Sequence, residues 1–299
     1  MSDRAGPRER LGRAAPRPVR NAVRSAARVL GRATSGARTL PTFLVIGTQR
    51  GGTTTLYHYL VQHPQVLGAV ADKEVHFFDL RYAAGLGAYR GAFPTTGAAR
   101  RVARDRGAVA IGEATPYYLF HPAVPERVAS DLPDVRLLAV LRDPVARAWS
   151  HYRHEVELGF EDLSFEDALD AEAARTAGTA ELLAADPAAT SFAHQHHTYV
   201  ARGRYVEQLE RWWRAFPRER LLLVRSEDLH RDPAPIFDAI CTHLGIDAWQ
   251  PAAWETYNAT KPAGMAPETD ARLRELFAPW NARLASATGR AWAWDGASA

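Results

Sequence analysis

A glycine- and threonine-rich segment directly after a short apolar run is the feature of this chain best suited to chemistry. The apolar run is Phe43–Gly47, and the segment Thr48–Thr55 reads Thr-Gln-Arg-Gly-Gly-Thr-Thr-Thr. Such a turn between a strand and a helix presents free backbone amides and the positive end of a helix dipole to an anion. Gly51 and Gly52 allow close approach of an anion to the backbone, and Thr53 and Thr54 are hydroxyl donors. Arg50 is a permanent cation. The segment therefore predicts a phosphate-binding loop.

The loop differs from that of nucleotide-triphosphate-hydrolysing proteins at one position. Gly47 and Gly52 have the spacing of the motif Gly-x-x-x-x-Gly-Lys-Ser/Thr, but Thr53 stands where that motif requires lysine. The cation lies inside the loop instead, as Arg50. This departure disfavours ATP hydrolysis, and a P-loop kinase that uses ATP remains the alternative enzyme.

A second anion-binding point is indicated where another apolar run, Arg136–Leu141, ends. Arg142 follows that run directly, and Ser150 lies about two turns into the helical pattern that begins at Pro144. Arginine and serine are donors suited to phosphate oxygens. In a kinase, Asp143 would instead be the acidic ligand of Mg²⁺ at this place.

The elements that must position these residues alternate between strand and helix patterns. Short apolar runs predict buried parallel strands at Phe43–Gly47, Val109–Gly112, Arg136–Leu141 and Leu221–Val224. Helical spacing predicts helices at Thr53–His63, Ala123–Leu132, Pro144–Leu158, Val200–Phe216 and Pro233–Leu244. This alternation predicts an α/β fold of three layers, with a central parallel β-sheet flanked by helices. The Ala- and acid-rich span Ser164–Ala189 is predicted to be a weakly helical surface excursion.

Composition indicates a globular protein. Of the 299 residues, 46% are hydrophobic and 24% are charged, which allows a packed core and excludes wholesale disorder. No run of 18 or more apolar residues is present, so we expect no membrane-spanning helix. Cys241 is the single cysteine, which excludes an intramolecular disulfide and a cysteine-ligated zinc site and favours a cytoplasmic location.

Residues 1–40 are predicted to be a basic tail ahead of one domain, residues 41–299. Ten arginines stand against Asp3 and Glu9 in the tail, a charge of +8, whereas the domain holds 27 basic and 32 acidic side chains, or −5. A nucleic-acid-binding face on the domain is therefore not indicated. The tail is predicted to be disordered, and weak membrane-surface contact through an amphipathic helix over Val19–Ala33 is the alternative.

Several segments, taken in order along the chain, resemble those of sulfotransferases that use 3′-phosphoadenosine 5′-phosphosulfate (PAPS). They are Thr48–Thr54, Lys73–Asp79, Gly112–Tyr118, Leu141–Tyr152, Gly203–Trp212 and Gly289–Asp295. The chain is most similar to the carbohydrate branch that includes heparan sulfate sulfotransferases, over about residues 41–295. The resemblance implies a P-loop-like fold and transfer of a sulfuryl group from PAPS to a hydroxyl or amino group of a carbohydrate or small-molecule acceptor.

The resemblance also implies roles for particular residues. The loop residues Arg50 to Thr54 would bind the 5′-phosphosulfate, and Arg142 and Ser150 would bind the 3′-phosphate. Glu74 would be the general base of an in-line transfer that needs no metal, and a positioned base contributes about 10²- to 10⁴-fold.

His76 lies two residues beyond Glu74, so the two side chains share a face of an extended segment. We expect His76 to orient the base or contact the acceptor, and it is the second candidate for the base. Further nucleotide contacts are expected in a late element that resembles Lys-x-x-Gly-Arg, at Lys261 and Gly264. The acceptor contacts are expected at Lys73, His76, Asp79, Thr115 and Tyr117.

Three residues depart from the family pattern. Arg50 stands where the heparan branch usually has lysine, and Ala114 replaces a lysine that would face an anionic polysaccharide. Met265 replaces the arginine of the Lys-x-x-Gly-Arg element. The nucleotide chemistry therefore carries over better than the heparan-type acceptor.

Two other groups of residues are interpreted as structural. The histidines of the segment His194–His197 have no nearby acidic partner in the sequence, so we interpret them as polar surface or cleft residues and not as a metal site. Trp212 and its neighbours at helical spacing are predicted to be core. A nucleotide- or glycan-binding protein without activity is a further alternative, and the intact Glu74 argues against it.

Overall fold

Short apolar segments pair side by side in the computed structural model, which describes residues 17–70, 72–254 and 264–294. The strands are β1 (Phe43–Gly47), β2 (Val66–Gly68), β3 (Ala110–Ala114), β4 (Arg136–Leu141) and β5 (Leu221–Arg225). They form one sheet in the order β2-β3-β1-β4-β5, and every pair of neighbours is parallel.

Helices lie between the strands and around them. The α-helices are α1 (Arg17–Ala33), α2 (Thr53–Leu60), α3 (Leu86–Arg90), α4 (Thr96–Arg106), α5 (Val124–Asp131), α6 (Pro144–Leu158), α7 (Phe165–Thr176), α8 (Thr179–Ala185), α9 (Phe192–His196), α10 (Tyr205–Ala215), α11 (Ser226–Arg231), α12 (Pro233–Leu244) and α13 (Pro267–Thr288). Single 3₁₀ turns occur at Ser35–Ala37, Tyr82–Ala84, Pro116–Leu119, Ala201–Gly203 and Arg218–Arg220.

Side chains of β1 alternate between two apolar cores, one on each face of the sheet. Leu44 and Ile46 join a core that includes Trp212 of α10. Phe43 and Val45 join the core on the other face, which includes side chains of α2 and α12. A strand buried on both faces explains why the run is apolar throughout, and the predicted three-layer α/β fold is confirmed.

The strand order reverses between β1 and β4, and this reversal opens a crevice at the carboxyl ends of the strands. From β1 the chain crosses to β2 and returns to β3 on one side, whereas β4 and β5 lie on the other side. The connection that follows β1 therefore leads to one side of the sheet, and the connection that follows β4 leads to the other side. Open α/β sheets bind ligands at such a switch point, and both predicted anion-binding segments begin there.

Several elements were not predicted. They are the edge strand β2, the helices α3, α4, α9 and α11, and the long helix α13. The span Ser164–Ala189, predicted to be a weakly helical surface excursion, is helical as α7 and α8, but it is partly buried against the domain. Phe165 is 3% exposed and Glu172 is 5% exposed. The Glu172 carboxylate accepts hydrogen bonds from the backbone nitrogens of Val200 (2.6 Å) and Ala201 (2.7 Å), which ties the span to the domain.

The chain ahead of the sheet includes α1, whose end packs against α3. A β-carbon on Gly31 would lie 2.2 Å from the Gly91 carbonyl oxygen, so only glycine allows this approach. Arg28 forms an ion pair with Asp72 at 2.7 Å. None of the helices in the described ranges combines the length and the apolar character needed to cross a membrane.

Candidate active site

The loop after β1 is shaped by its two glycines. The backbone nitrogen of Thr48 donates to the Val140 carbonyl of β4 at 2.8 Å, which fixes the start of the loop. A β-carbon on Gly51 would lie 2.7 Å from that same carbonyl oxygen. Gly52 has a φ of 101° and is the N-cap of α2, so the first amides of the helix open towards the cleft. The geometry is that of an anion-binding loop.

The two predicted anion-binding points are adjacent. Arg50, at a φ of 65°, donates from Nε to the Ser150 hydroxyl at 3.0 Å. Arg142 donates from Nη1 to the Arg50 carbonyl at 3.2 Å. Asp143 pairs with Arg274 at 3.5 Å and accepts from the Val145 nitrogen at 2.9 Å as the N-cap of α6. Two guanidinium groups and a serine hydroxyl therefore line the crevice between β1 and β4.

Lys73 connects the loop to the predicted base. Its ammonium nitrogen lies 2.9 Å from the Thr54 hydroxyl and 3.2 Å from Glu74 Oε1. The Glu74 side chain is 41% exposed and lines the same cleft as the loop. The Lys73 side chain therefore connects the Glu74 carboxylate to Thr54 of the anion-binding loop.

His76 lies between two carboxylates. Its Nε2 is 3.2 Å from Glu74 Oε2, and its Nδ1 is 2.7 Å from Oδ2 of the buried Asp79. Burial alone would lower the pKa of His76, but the hydrogen bonds to Asp79 and Glu74 outweigh it and raise the pKa to about 10. Burial would raise the pKa of Glu74, and the hydrogen bonds from His76 and Lys73 outweigh it, so this pKa lies below its usual range. The raised pKa favours the protonated form of His76 at neutral pH, which argues for Glu74 over His76 as the proton acceptor.

A buried carboxylate on β3 holds this segment in place. Glu113 Oε1 accepts from the Tyr89 hydroxyl at 2.8 Å and from the Tyr118 hydroxyl at 2.9 Å. Its Oε2 accepts from the Val75 nitrogen at 3.0 Å and from the Thr115 hydroxyl at 2.5 Å. Thr115, predicted to contact the acceptor, is fully buried by this arrangement. Glu113 was not predicted as a site residue, although it lies in a segment that carried the resemblance.

The cleft has a volume of about 620 Å³ and brings most of the predicted site residues together. Those that line it are Arg50, Gly52, Thr53, Thr54, Lys73, Glu74, His76, Tyr117, Arg142 and Ser150. Asp79 and Thr115 lie behind the wall, where they position His76 and the segment around it. The residues Ser226, Glu227 and His230 also line the cleft and were not predicted.

A second wall of the cleft contains a hydrogen-bonded group that was not predicted. Glu155 lies 2.8 Å from His196 Nδ1 and 3.1 Å from His151 Nε2. Burial opposes its ionisation, yet these two histidines lower the pKa of Glu155 to about 2. The buried Arg202 donates to the Gln49 side chain, which ties this wall to the phosphate loop. These contacts connect segments that lie far apart in the sequence, so no local pattern indicated them.

The three histidines of the segment His194–His197 have separate environments. His194 is buried, its Nδ1 lies 2.6 Å from the Tyr117 hydroxyl, and burial lowers its pKa to about 2. His196 lines the cleft. His197 lies 2.9 Å from the Phe160 carbonyl oxygen. No group of three or more potential metal ligands occurs in the part of the chain that the structure describes.

The late nucleotide-binding element lies mostly outside the described residues. Lys261 is one of the undescribed positions, so its predicted contact stays a prediction. Gly264 has a φ of 110°, and a β-carbon there would lie 3.6 Å from the Trp149 ring. Gly264 is not among the residues that line the cleft in the described ranges.

An anion-binding loop, an adjacent arginine and serine, and a carboxylate share one cleft, which is the arrangement expected of an enzyme that transfers a phosphate-like group. The family model described as "Sulfotransferase domain" matches residues 40–258. The chain therefore belongs to the sulfotransferase family.

Individual relatives support this assignment. The chain is 30% identical to human heparan sulfate glucosamine 3-O-sulfotransferase 3A1, over 87% of this chain and 64% of that protein. It is 34% identical to human bifunctional heparan sulfate N-deacetylase/N-sulfotransferase 3, over 69% of this chain and 22% of that protein. The crystal structure of a sulfotransferase from Alicyclobacillus acidocaldarius matches with a TM-score of 0.63 and 30% identity, over 85% of this chain and 99% of that one. The chain spans less than two thirds of the length of the first of these relatives.

Proposed function

We propose that this sulfotransferase moves the sulfuryl group of PAPS to a hydroxyl or amino group of a carbohydrate or small-molecule acceptor, with Glu74 as the general base. The observation that carries the proposal is the position of Lys73, 2.9 Å from Thr54 Oγ1 and 3.2 Å from Glu74 Oε1. A donor on the loop and an acceptor at the base would therefore meet in one cleft. Proximity of this kind contributes a large share of the rate in group transfer.

In the proposed reaction, the acceptor oxygen forms a bond to sulfur while the bond from sulfur to the 5′-phosphate oxygen breaks. The proton of the acceptor moves to the Glu74 carboxylate. The negative charge of the leaving 3′,5′-bisphosphoadenosine (PAP) is stabilised by Arg50 and the amides of the loop. His76 keeps Glu74 ionised and oriented, because its raised pKa leaves it protonated through neutral pH.

The arrangement of Asp143 favours PAPS over ATP as the donor. A kinase needs an acidic ligand for Mg²⁺ at this strand end. Here Oδ1 of Asp143 caps α6 and Oδ2 faces Arg274. Arg142 and Ser150 beside it supply donors for a 3′-phosphate, which ATP lacks.

The experiment that tests the donor is calorimetric titration with PAP and with ATP, each with and without Mg²⁺. We expect tight binding of PAP that does not depend on Mg²⁺, and weak binding of ATP. Mg²⁺-dependent binding of ATP with no preference for the 3′-phosphate would refute the proposal and favour a kinase.

We propose in addition that α1 makes weak contact with anionic membrane surfaces. Val29 is 71% exposed and Leu30 is 61% exposed, next to Arg28 and Arg32, in a segment whose net charge is strongly positive. Pelleting with vesicles that contain phosphatidylglycerol should decrease when Val29 and Leu30 are both replaced by aspartate. Leu182→Asp, at a side chain that is 49% exposed, is the control. Equal pelleting of both variants would refute the contact.

A further inference from the structure

Apart from the phosphate loop, Arg142 and the group Lys73–His76, the cleft is lined by few exposed cations among the described residues. We define the acceptor wall as Tyr117, Glu155, Leu158, Gln195, His196 and Arg202, all of which line the cleft. Its cation, Arg202, is 1% exposed. Its acidic residue, Glu155, is fully buried and lies 2.8 Å from His196 Nδ1. Both charged side chains of the acceptor wall are therefore buried, so neither offers an exposed charge to an acceptor.

The donors of Arg202 are engaged by neutral groups of the protein. Nη2 donates to the carbonyls of His194 (3.1 Å) and Gln195 (2.7 Å), and Nε donates to the Thr198 hydroxyl at 2.7 Å. Nη1 donates to the Gln49 side chain. A sulfate or carboxylate of the acceptor would have to displace these contacts in order to bind the guanidinium. The acceptor wall therefore lacks the open arginine fork that anionic groups require.

The rim next to this wall is apolar. Leu158 is 49% exposed, Phe160 is 40% exposed and Phe192 is 52% exposed. The rings of Phe160 and Phe192 lie 5.3 Å apart, and each packs against His196, at 4.8 and 4.5 Å between centroids. Because Leu158 and His196 both line the cleft, this rim is continuous with the acceptor wall. Exposed aromatic side chains that cluster beside a binding cleft mark a surface that binds apolar groups.

We infer that the acceptor is an uncharged hydroxyl compound with an apolar body, which rests on the rim of Leu158, Phe160 and Phe192 while its hydroxyl reaches Glu74. This inference rests on the proposed function, because it concerns the acceptor of the same cleft. It separates this chain from the acceptors that its curated relatives are named for.

The test measures acceptor binding to the complex of the enzyme with PAP, so that it needs no turnover. The probes are methyl, hexyl and octyl β-D-glucoside, octyl β-D-glucuronide and a heparosan tetrasaccharide, each below any micelle-forming concentration. We expect affinity to rise about twofold per methylene, half of the gain of full burial, or roughly 100-fold from methyl to octyl. The octyl glucuronide should bind at least about tenfold more weakly than the octyl glucoside.

Variants distinguish the contribution of the rim to acceptor binding from general effects on the enzyme. Replacing Phe160 and Phe192 together by alanine should reduce the ratio of octyl to methyl affinity, and both side chains are exposed enough for the fold to tolerate the change. Val70→Ala, at a side chain that is 58% exposed and outside the cleft, is the matched control and should leave that ratio unchanged. Glu155→Gln should narrow the difference between octyl glucoside and octyl glucuronide.

The outcomes distinguish a failure of the acceptor inference from a failure of the proposed function. Weak binding of PAP would refute the proposed function itself. Tight binding of PAP, combined with no effect of chain length, no binding of the octyl glucoside, or stronger binding of the glucuronide or the tetrasaccharide, would overturn only the acceptor inference.

Discussion

Replacing Asp79 by asparagine tests whether a buried carboxylate keeps His76 protonated beside the base. Asp79 Oδ2 lies 2.7 Å from His76 Nδ1 and its side chain is fully buried, whereas Glu74 Oε2 lies 3.2 Å from Nε2 and its side chain is 41% exposed. A charge in the interior is screened less than one at the surface. Asp79→Asn should therefore lower the pKa of His76 more than Glu74→Gln does, although asparagine can still accept the hydrogen bond.

The size of the effect follows from the raised pKa. A rise from the ordinary 6.5 to about 10 corresponds to roughly 5 kcal/mol in favour of the imidazolium. We expect the loss of the Asp79 charge to lower the pKa of His76 by at least about 2. Because the pKa in the folded protein lies above that of the unfolded chain, this charge stabilises the fold fully below pH 6.5. That contribution is lost as the pH rises through 10.

The measurement is an NMR titration of protein labelled with ¹⁵N at histidine, with the His76 signals assigned from a His76→Asn variant. The wild-type imidazole should stay protonated through neutral pH, and the Asp79→Asn imidazole should titrate at lower pH. Titration of the wild-type imidazole near 6.5 would refute the reasoning. A larger decrease in the pKa of His76 in Glu74→Gln than in Asp79→Asn would contradict the assignment of Asp79 as the main partner.

In the same Glu74→Gln variant, kcat should fall by about 10²- to 10⁴-fold while PAP affinity is kept.

Three further changes test the donor side and the support of the site. Arg142→Ala should weaken PAP binding by about 10- to 100-fold in calorimetry, through loss of a charge-assisted hydrogen bond, and the exposed Arg272→Ala should not. Gly51→Ala should also weaken PAP binding, because its methyl group would meet a backbone oxygen at 2.7 Å, whereas Gly97→Ala has nothing within 4 Å and serves as its control. Glu113→Ala should lower the free energy of unfolding in urea by at least about 3 kcal/mol, because it leaves buried donors unpaired; an unchanged value would contradict its role in holding the segment.

The elements that sequence patterns predicted are those with strong local signals. Arg136–Leu141 and Pro144–Leu158 have the predicted bounds, because one is a continuous apolar run and the other begins at a proline and ends before a glycine. Val66–Gly68 has three residues, too few to show a period. Pro267–Thr288 contains Pro279, which breaks the helical pattern in the sequence although the helix continues through it.

The same distinction holds within the site. The phosphate loop could be predicted because Gly51 and Gly52 follow their strand closely, and local spacing alone indicates the turn. The acceptor wall could not be predicted, because its residues Glu155 and Arg202 both contact Gln49, from which they are separated by 106 and 153 residues in the sequence. Contacts of that range depend on how the helices pack and leave no periodic signal.

The donor loop and the acceptor wall differ in how far apart their residues lie in the sequence. The donor loop is determined by neighbours on β1 and β4, so a resemblance in sequence carries its chemistry with it. The acceptor wall is assembled from α6, α9 and the turns at Pro116–Leu119 and Ala201–Gly203, which approach one another only in the folded chain. A relative with 30% identity can therefore share the loop and differ in the wall. The acceptor is better inferred from Glu155, Arg202 and the apolar rim than from the names of the relatives.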